Sequence, residues 1–133
     1  MQILKPIHLA VGAFGLIAFV LTGQYMAIFL HGLQDSADGP RLLYRSAHLY
    51  LMWSSLANLL VGAAFVVATS RGARIVQILS SVALLIGPAL LLAGFFIESP
   101  VNNLRRPFSD IANYLALGGV ILHVASTHLA KRR

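Results

Sequence analysis

The chain reads as an all-α integral membrane protein: four transmembrane helices in an up-and-down bundle, with both termini cytoplasmic. Three observations predict this. Of its 133 residues, 58% are hydrophobic and 11% charged, against about 45–50% and 25% in an ordinary soluble domain. The apolar residues fall into four long runs, about 7–30, 47–69, 75–97 and 111–130. Each is close to the roughly 20 residues a helix needs to cross a bilayer. The basic residues, finally, are shared unevenly between the two ends of such a bundle. At this length, residues 1–133 form a single domain.

Only His8, Thr22, Gln24 and Tyr25 interrupt the first run. It is too long for a signal-peptide core and no small-x-small site follows it, so it is expected to remain as the first span. Asp38-Gly39-Pro40 then signals a helix start, with Pro in the first turn. The second helix is expected to begin near Pro40, which places Arg41, Tyr44 and Arg45 in the outer interface and the span itself over about 47–69. Ser70 to Arg74, with Gly72 inside it, reads as a tight turn that makes helices two and three antiparallel neighbours. Pro88 lies in the middle of the third run and predicts a kink, because it removes a helical hydrogen bond. A longer outer loop, Glu98 to Asp110, leads to the fourth helix, with Ser109 as its expected N-cap and Asp110 near its positive end.

Charge sets the orientation. Lys5, Arg71, Arg74, Lys131, Arg132 and Arg133 fall on one side, with no acid. Arg41, Arg45, Arg105 and Arg106 fall on the other, with Asp35, Asp38, Glu98 and Asp110. The excess of basic residues marks the first side as cytoplasmic, in a bacterial inner (plasma) membrane. In a chain of this kind the excess speaks for topology and not for nucleic acid.

Several chemistries are excluded. There is no cysteine, hence no disulfide, thiolate ligand or cysteine nucleophile. No Gly-rich phosphate loop, His-Glu-x-x-His pair or Gly-x-Ser-x-Gly elbow occurs. No acid lies within a span, where a proton-coupled carrier would place one.

Helices in lipid associate through small and polar residues, and each run has such a stripe. These are His8, Gly12, Gly15 and Thr22; Tyr44, His48, Ser55, Asn58 and Gly62; Ser80, Gly87, Pro88 and Gly94; and Asn113, Ala116, Val120, His123 and Thr127. Interhelical hydrogen bonding accounts for most of them. His48 and His123 are the exceptions, His123 because an ionisable group about seven residues inside a span is a functional candidate by default.

Imidazoles on facing helices are how bundles hold haem iron or a metal. In helix count and histidine content this plan resembles the four-helix, two-haem membrane cytochromes b, with no motif in common. His8 lies within a turn of the inner boundary while His123 lies much deeper, which argues against the two serving one haem; Met26 and Met52 are alternative axial ligands. Interfacial His8, His31 and His128 are expected to meet water and headgroups. On the outer side, Tyr44, Arg45 and His48 are spaced to share one helical surface, and the Arg fork suits a propionate, a lipid headgroup or another anion. His31 and His48, with Asp35, Asp38 or Glu98, are the candidate metal ligands.

The expected function is a small redox-associated membrane protein that binds haem b or quinone between its helices, through His48, His123, Arg45 and Tyr44. Two alternatives stand beside it. One is a non-catalytic accessory or scaffold subunit packed against other membrane subunits or itself, and the other an outer-face binder of metal or anionic lipid.

Overall fold

The computed structural model describes residues 1–101 and 105–131, with side chains as far as His128. The chain is all-helical, with α1 over Leu4–Ile28, a short 3₁₀ turn at His31–Leu33, α2 over Asp38–Ala63, α3 over Arg71–Ile97 and α4 over Pro107–Lys131. The end of the bundle where α1 begins carries Lys5, Arg71 and Arg74, the basic cluster expected to be inner, and is termed the inner end. Arg132 and Arg133 of the expected inner cluster lie outside the described residues, as does the side chain of Lys131.

Three helices are long and apolar enough to cross a membrane: α1, α3, and α4 over Pro107–His128, with mean hydropathies of 1.9, 2.3 and 1.3. Helix α2 is not among them, because its first two turns carry Asp38, Arg41 and Arg45 and its inward face carries Ser54, Ser55 and Asn58. The bundle is polar inside and apolar outside. Ser54, Ser55, Asn58, Gln77, Ser80, Ser81 and His8 are fully buried, while Phe14, Ile17, Val20, Leu49, Leu60 and Leu79 are exposed.

Consecutive helices pack antiparallel. His8 near the start of α1 meets Asn58 near the end of α2, and Thr22 near the end of α1 meets His48 near the start of α2. The buried residues of α1 are His8, Gly12, Gly15 and Thr22, the stripe its sequence predicts. Glycine is required for this contact. A Cβ on Gly12 would stand 2.8 Å from the Ser55 carbonyl oxygen, and one on Gly62 would stand 3.0 Å from the backbone nitrogen of Leu9. Such close backbone approach is how helices gain dispersion contact where no hydrophobic effect drives association.

Helix α2 ends at Ala63, short of the Thr69 end that hydropathy predicts. Residues 65–68 are not helical, although they are as apolar as the helix before them. Buried Gln77 of α3 holds this segment. Its Nε2 donates to the Val66 carbonyl at 2.6 Å, and its Oε1 accepts from the Ala68 N–H at 3.0 Å. These bonds replace the helical ones that residues 65–68 forgo. Ser70 then caps α3, its hydroxyl accepting from the Ala73 N–H at 3.3 Å.

The fourth helix also departs from expectation. It begins at Pro107, so Ser109 lies inside its first turn and is not the N-cap. The cap is Glu98, from the end of α3. Its carboxylate accepts from the Phe108 N–H at 2.6 Å, from the Ser109 N–H at 3.2 Å and from the Ser109 hydroxyl at 2.6 Å. A carboxylate at the positive helix end satisfies orphan N–H groups and gains from the helix dipole.

The link from α1 to α2 is a left-handed turn: His31, Gly32 and Leu33 have φ of +46°, +66° and +65°. Left-handed backbone costs a non-glycine residue about 1–2 kcal/mol. Two features offset it. Leu33 is buried against Tyr44, Ala47 and Phe95, and Arg41 donates to the carbonyls of Leu33, Gln34 and Ser36 at 3.1, 3.2 and 2.9 Å.

Candidate functional site

Pro88 stands inside α3, which runs through it without a break. Its consequence lies one turn earlier. A proline has no N–H, so the Leu84 carbonyl, four residues back, has no helical donor. Asn58 of α2 supplies one, its Nδ2 lying 2.9 Å from the Leu84 oxygen and 3.0 Å from the Ser54 oxygen. With both amide hydrogens committed, Asn58 Oδ1 is left as an acceptor, and it stands 2.8 Å from His8 Nδ1. His8 therefore donates from Nδ1, and in the neutral ring its Nε2 carries the lone pair. That nitrogen is buried and has no partner among the described residues. Proline, carbonyl, amide and imidazole form one chain of constraint from α3 through α2 to α1.

His123 of α4 is the counterpart. It is 5% exposed, and neither of its nitrogens has a partner among the described residues. A buried polar group without a hydrogen bond costs about 1–3 kcal/mol, and the two imidazoles together leave three ring nitrogens without one among the described residues. Both contact Phe65. Its ring centroid lies 6.0 Å from that of His8 and 5.5 Å from that of His123. Depth along one helix does not translate directly into height in the bundle, since α1 begins one turn before His8 while α4 continues two turns past His123, and Phe65 is a neighbour common to both.

Beside His123, between α2 and α4, lies a cavity of about 360 Å³, within the usual range for small-molecule sites. Ala57, Val61 and Val120 form its apolar floor, and exposed Trp53, Leu60, Val66 and Val124 form a rim on the outside of the bundle. Thr127, one turn after His123, also lines it. Its hydroxyl donates to the Val124 carbonyl at 2.8 Å and so presents only lone pairs to the cavity. The site thus has an apolar body, an indole surface and two polar groups on one face of α4.

The outer residues do not converge. Tyr44 is buried edge-on against Phe95, ring centroids 5.1 Å apart, while Arg45 is exposed. His48 turns to α1, where its ring stacks on Phe19 at 4.0 Å and its Nδ1 lies 3.0 Å from the Thr22 hydroxyl. That hydroxyl donates to the Phe19 carbonyl, so His48 also donates from Nδ1. His31 is exposed and pairs with Asp35 at 3.9 Å, away from the partners that hold His48. Glu98 is committed to the α4 cap. Among the described residues, no three His, Cys, Asp or Glu side chains gather as a metal-binding set. Met26 packs on the Leu33–Phe95 cluster, and His128 is exposed.

Of the expected site residues, His123 lines the cavity between α2 and α4. His8, Asn58 and Phe65 belong with it and were not singled out as cofactor residues by sequence reasoning. The spacing of Asn58 and Pro88 about the Leu84 carbonyl was a usable signal, but only with α2 and α3 already paired. Compared with protein-family models, with curated proteins and with solved structures, the chain shows no match to any of them.

Proposed function

We propose that the chain is a four-span membrane protein that binds an isoprenoid quinone, its headgroup in the cavity between α2 and α4. The observation that supports this reading is His123, buried at the cavity with both ring nitrogens unpartnered. A redox ligand of this class changes its hydrogen-bonding character between states: a quinone oxygen accepts, a hydroquinone hydroxyl donates. No hydrogen bond fixes the tautomer of His123, so it serves either state, donating to the first and accepting from the second. Thr127 adds an acceptor, Trp53 an aromatic surface, and the exposed apolar rim an entry for an isoprenoid tail from the lipid.

In this reading α2 spans the membrane with the other three helices, its polar face covered by them. The inner end, with Lys5, Arg71 and Arg74, faces the cytoplasm of a bacterium. Extraction of the purified protein with organic solvent, followed by absorption before and after borohydride, tests the function. Recovered quinone near stoichiometry, lost in His123→Leu, is expected; a protein free of quinone that also fails to bind an added short-chain analogue overturns it.

Haem b is the second reading. It draws on His8 and His48, each of which donates from Nδ1 and leaves Nε2 free, the arrangement a ligating imidazole adopts. A Soret band with sharpened bands on dithionite reduction, lost when both His8→Leu and His48→Leu are introduced, would select haem over quinone.

A further inference from the structure

We infer that His8 is a second hydrogen-bond acceptor for the ligand: with Phe65 turned aside, the cavity at His123 opens toward His8, the ligand's ring takes the place Phe65 holds beside the two imidazoles, and the hydroquinone is selected over the quinone. This rests on the reading of the cavity at His123 as a quinone site.

The selectivity follows from the chain of bonds that begins at Pro88. Asn58 spends both amide hydrogens on backbone carbonyls, so His8 must donate to it from Nδ1. What remains at Nε2 is a lone pair in apolar surroundings, and such a group is satisfied by a donor. A hydroquinone carries an O–H; a quinone carries only acceptors and would meet the His8 lone pair with its own. His123, without a hydrogen bond to fix it, makes no such distinction, so the preference comes from His8.

The place is set by Phe65. Its six-membered ring lies within 6.0 Å, centroid to centroid, of both imidazoles, and a 1,4-hydroquinone is a ring of the same size with a hydroxyl at either end. Phe65 is not part of α2, and Gln77 grips the backbone at Val66 and Ala68. The side chain can therefore turn while the segment stays anchored. It has somewhere to turn, because it lines a second cavity of about 600 Å³ at the inner end, beside Gln2 and Lys5.

The test compares 2-decyl-1,4-benzohydroquinone, its quinone and its dimethyl ether, binding anaerobically to the full chain in nanodiscs. The variants are Phe65→Ala, Phe65→Leu and each of these with His8→Leu. Removing a ring that occupies the bound position about nine-tenths of the time raises apparent affinity about tenfold. Phe65→Ala should show that gain for the hydroquinone, and Phe65→Leu a smaller one. The ether, with a methyl group in place of each donor hydrogen, should show none, and His8→Leu should erase it. A gain shared by the ether, a gain that survives loss of His8, or no gain in either Phe65 variant overturns the inference. If wild-type binding depends on His123 and the gain is missing, this inference alone falls; if wild-type binding is indifferent to His123→Leu, the cavity reading falls and takes this one with it.

Discussion

The two ends of the bundle treat their ionisable groups differently. At the outer end, charge is held by many partners. Glu98 accepts three hydrogen bonds at the start of α4, and Arg41 clamps three carbonyls of the left-handed turn. Arg106 donates to Ser46 and Ser109 while lying over the Tyr50 ring, with only its Nε unmatched. At the inner end, the four ring nitrogens of His8 and His123 share one hydrogen bond. A group saturated by its own chain is spent on architecture. A buried group left short of partners costs stability, and the outer end shows that this fold can supply partners where they are needed. Polarity alone therefore does not mark a site; the proposed one rests on unspent polarity beside a cavity.

The contrast breaks most severely at Asn58, whose amide is fully committed. Asn58→Leu leaves both His8 Nδ1 and the Leu84 carbonyl buried without partners. Measured bonds between membrane helices average about 0.6 kcal/mol, but an orphaned buried group costs about 1–3 kcal/mol. A loss of about 2 kcal/mol is expected, read as an earlier midpoint in denaturant titration of the detergent-solubilised protein. An unchanged midpoint would mean that the Pro88–Leu84–Asn58–His8 chain contributes nothing to the fold.

Arg41→Ala comes next, at about 1–2 kcal/mol, because the clamp is partly exposed and water replaces some of its bonds. Its effect should stay at the outer end. Hydrogen exchange ought to quicken at residues 31–37 and leave α4 near His123 protected. Global loosening would contradict a local role.

How much of this was legible in the sequence depended on whether a feature was local to one helix. The α1 stripe of His8, Gly12, Gly15 and Thr22 is a matter of spacing on a single cylinder, and it is the face that is buried. The end of α2 was not legible. Phe65 to Ala68 is as apolar as a span, and hydropathy reports a preference for lipid or core, not a backbone conformation. Ser109 looked like an N-cap because its competitor, Glu98, is eleven residues away and arrives only when the loop folds back. Tyr44, Arg45 and His48 have the spacing of one surface, yet Phe95, the exterior and Phe19 receive them separately. For the site, the depth of His123 placed it in the interior of the bundle, where it lines a cavity; its shared neighbour with His8, Phe65, was not legible, because depth along a helix equals height in a bundle only when the helix ends are level. Pro88 was visible, but the use of the carbonyl it frees lies on another helix.

The two smallest effects on stability make the sharpest comparison. Arg45→Ala removes an exposed side chain and should change the midpoint by less than about 0.5 kcal/mol. His123→Leu should be nearly as mild, since it exchanges a buried, unpartnered imidazole for an apolar group of similar size; replacing unmet polarity in this way is near neutral or stabilising. On the stability measurement alone the two variants look alike. They part on binding of the short-chain quinone, which Arg45→Ala should leave intact and His123→Leu should weaken by tenfold or more, about 1.4 kcal/mol. A residue whose removal costs the ligand but not the fold is held for the ligand. The opposite pattern, His123→Leu destabilising and binding unaltered, would return His123 to the core and leave the inner end as ordinary packing.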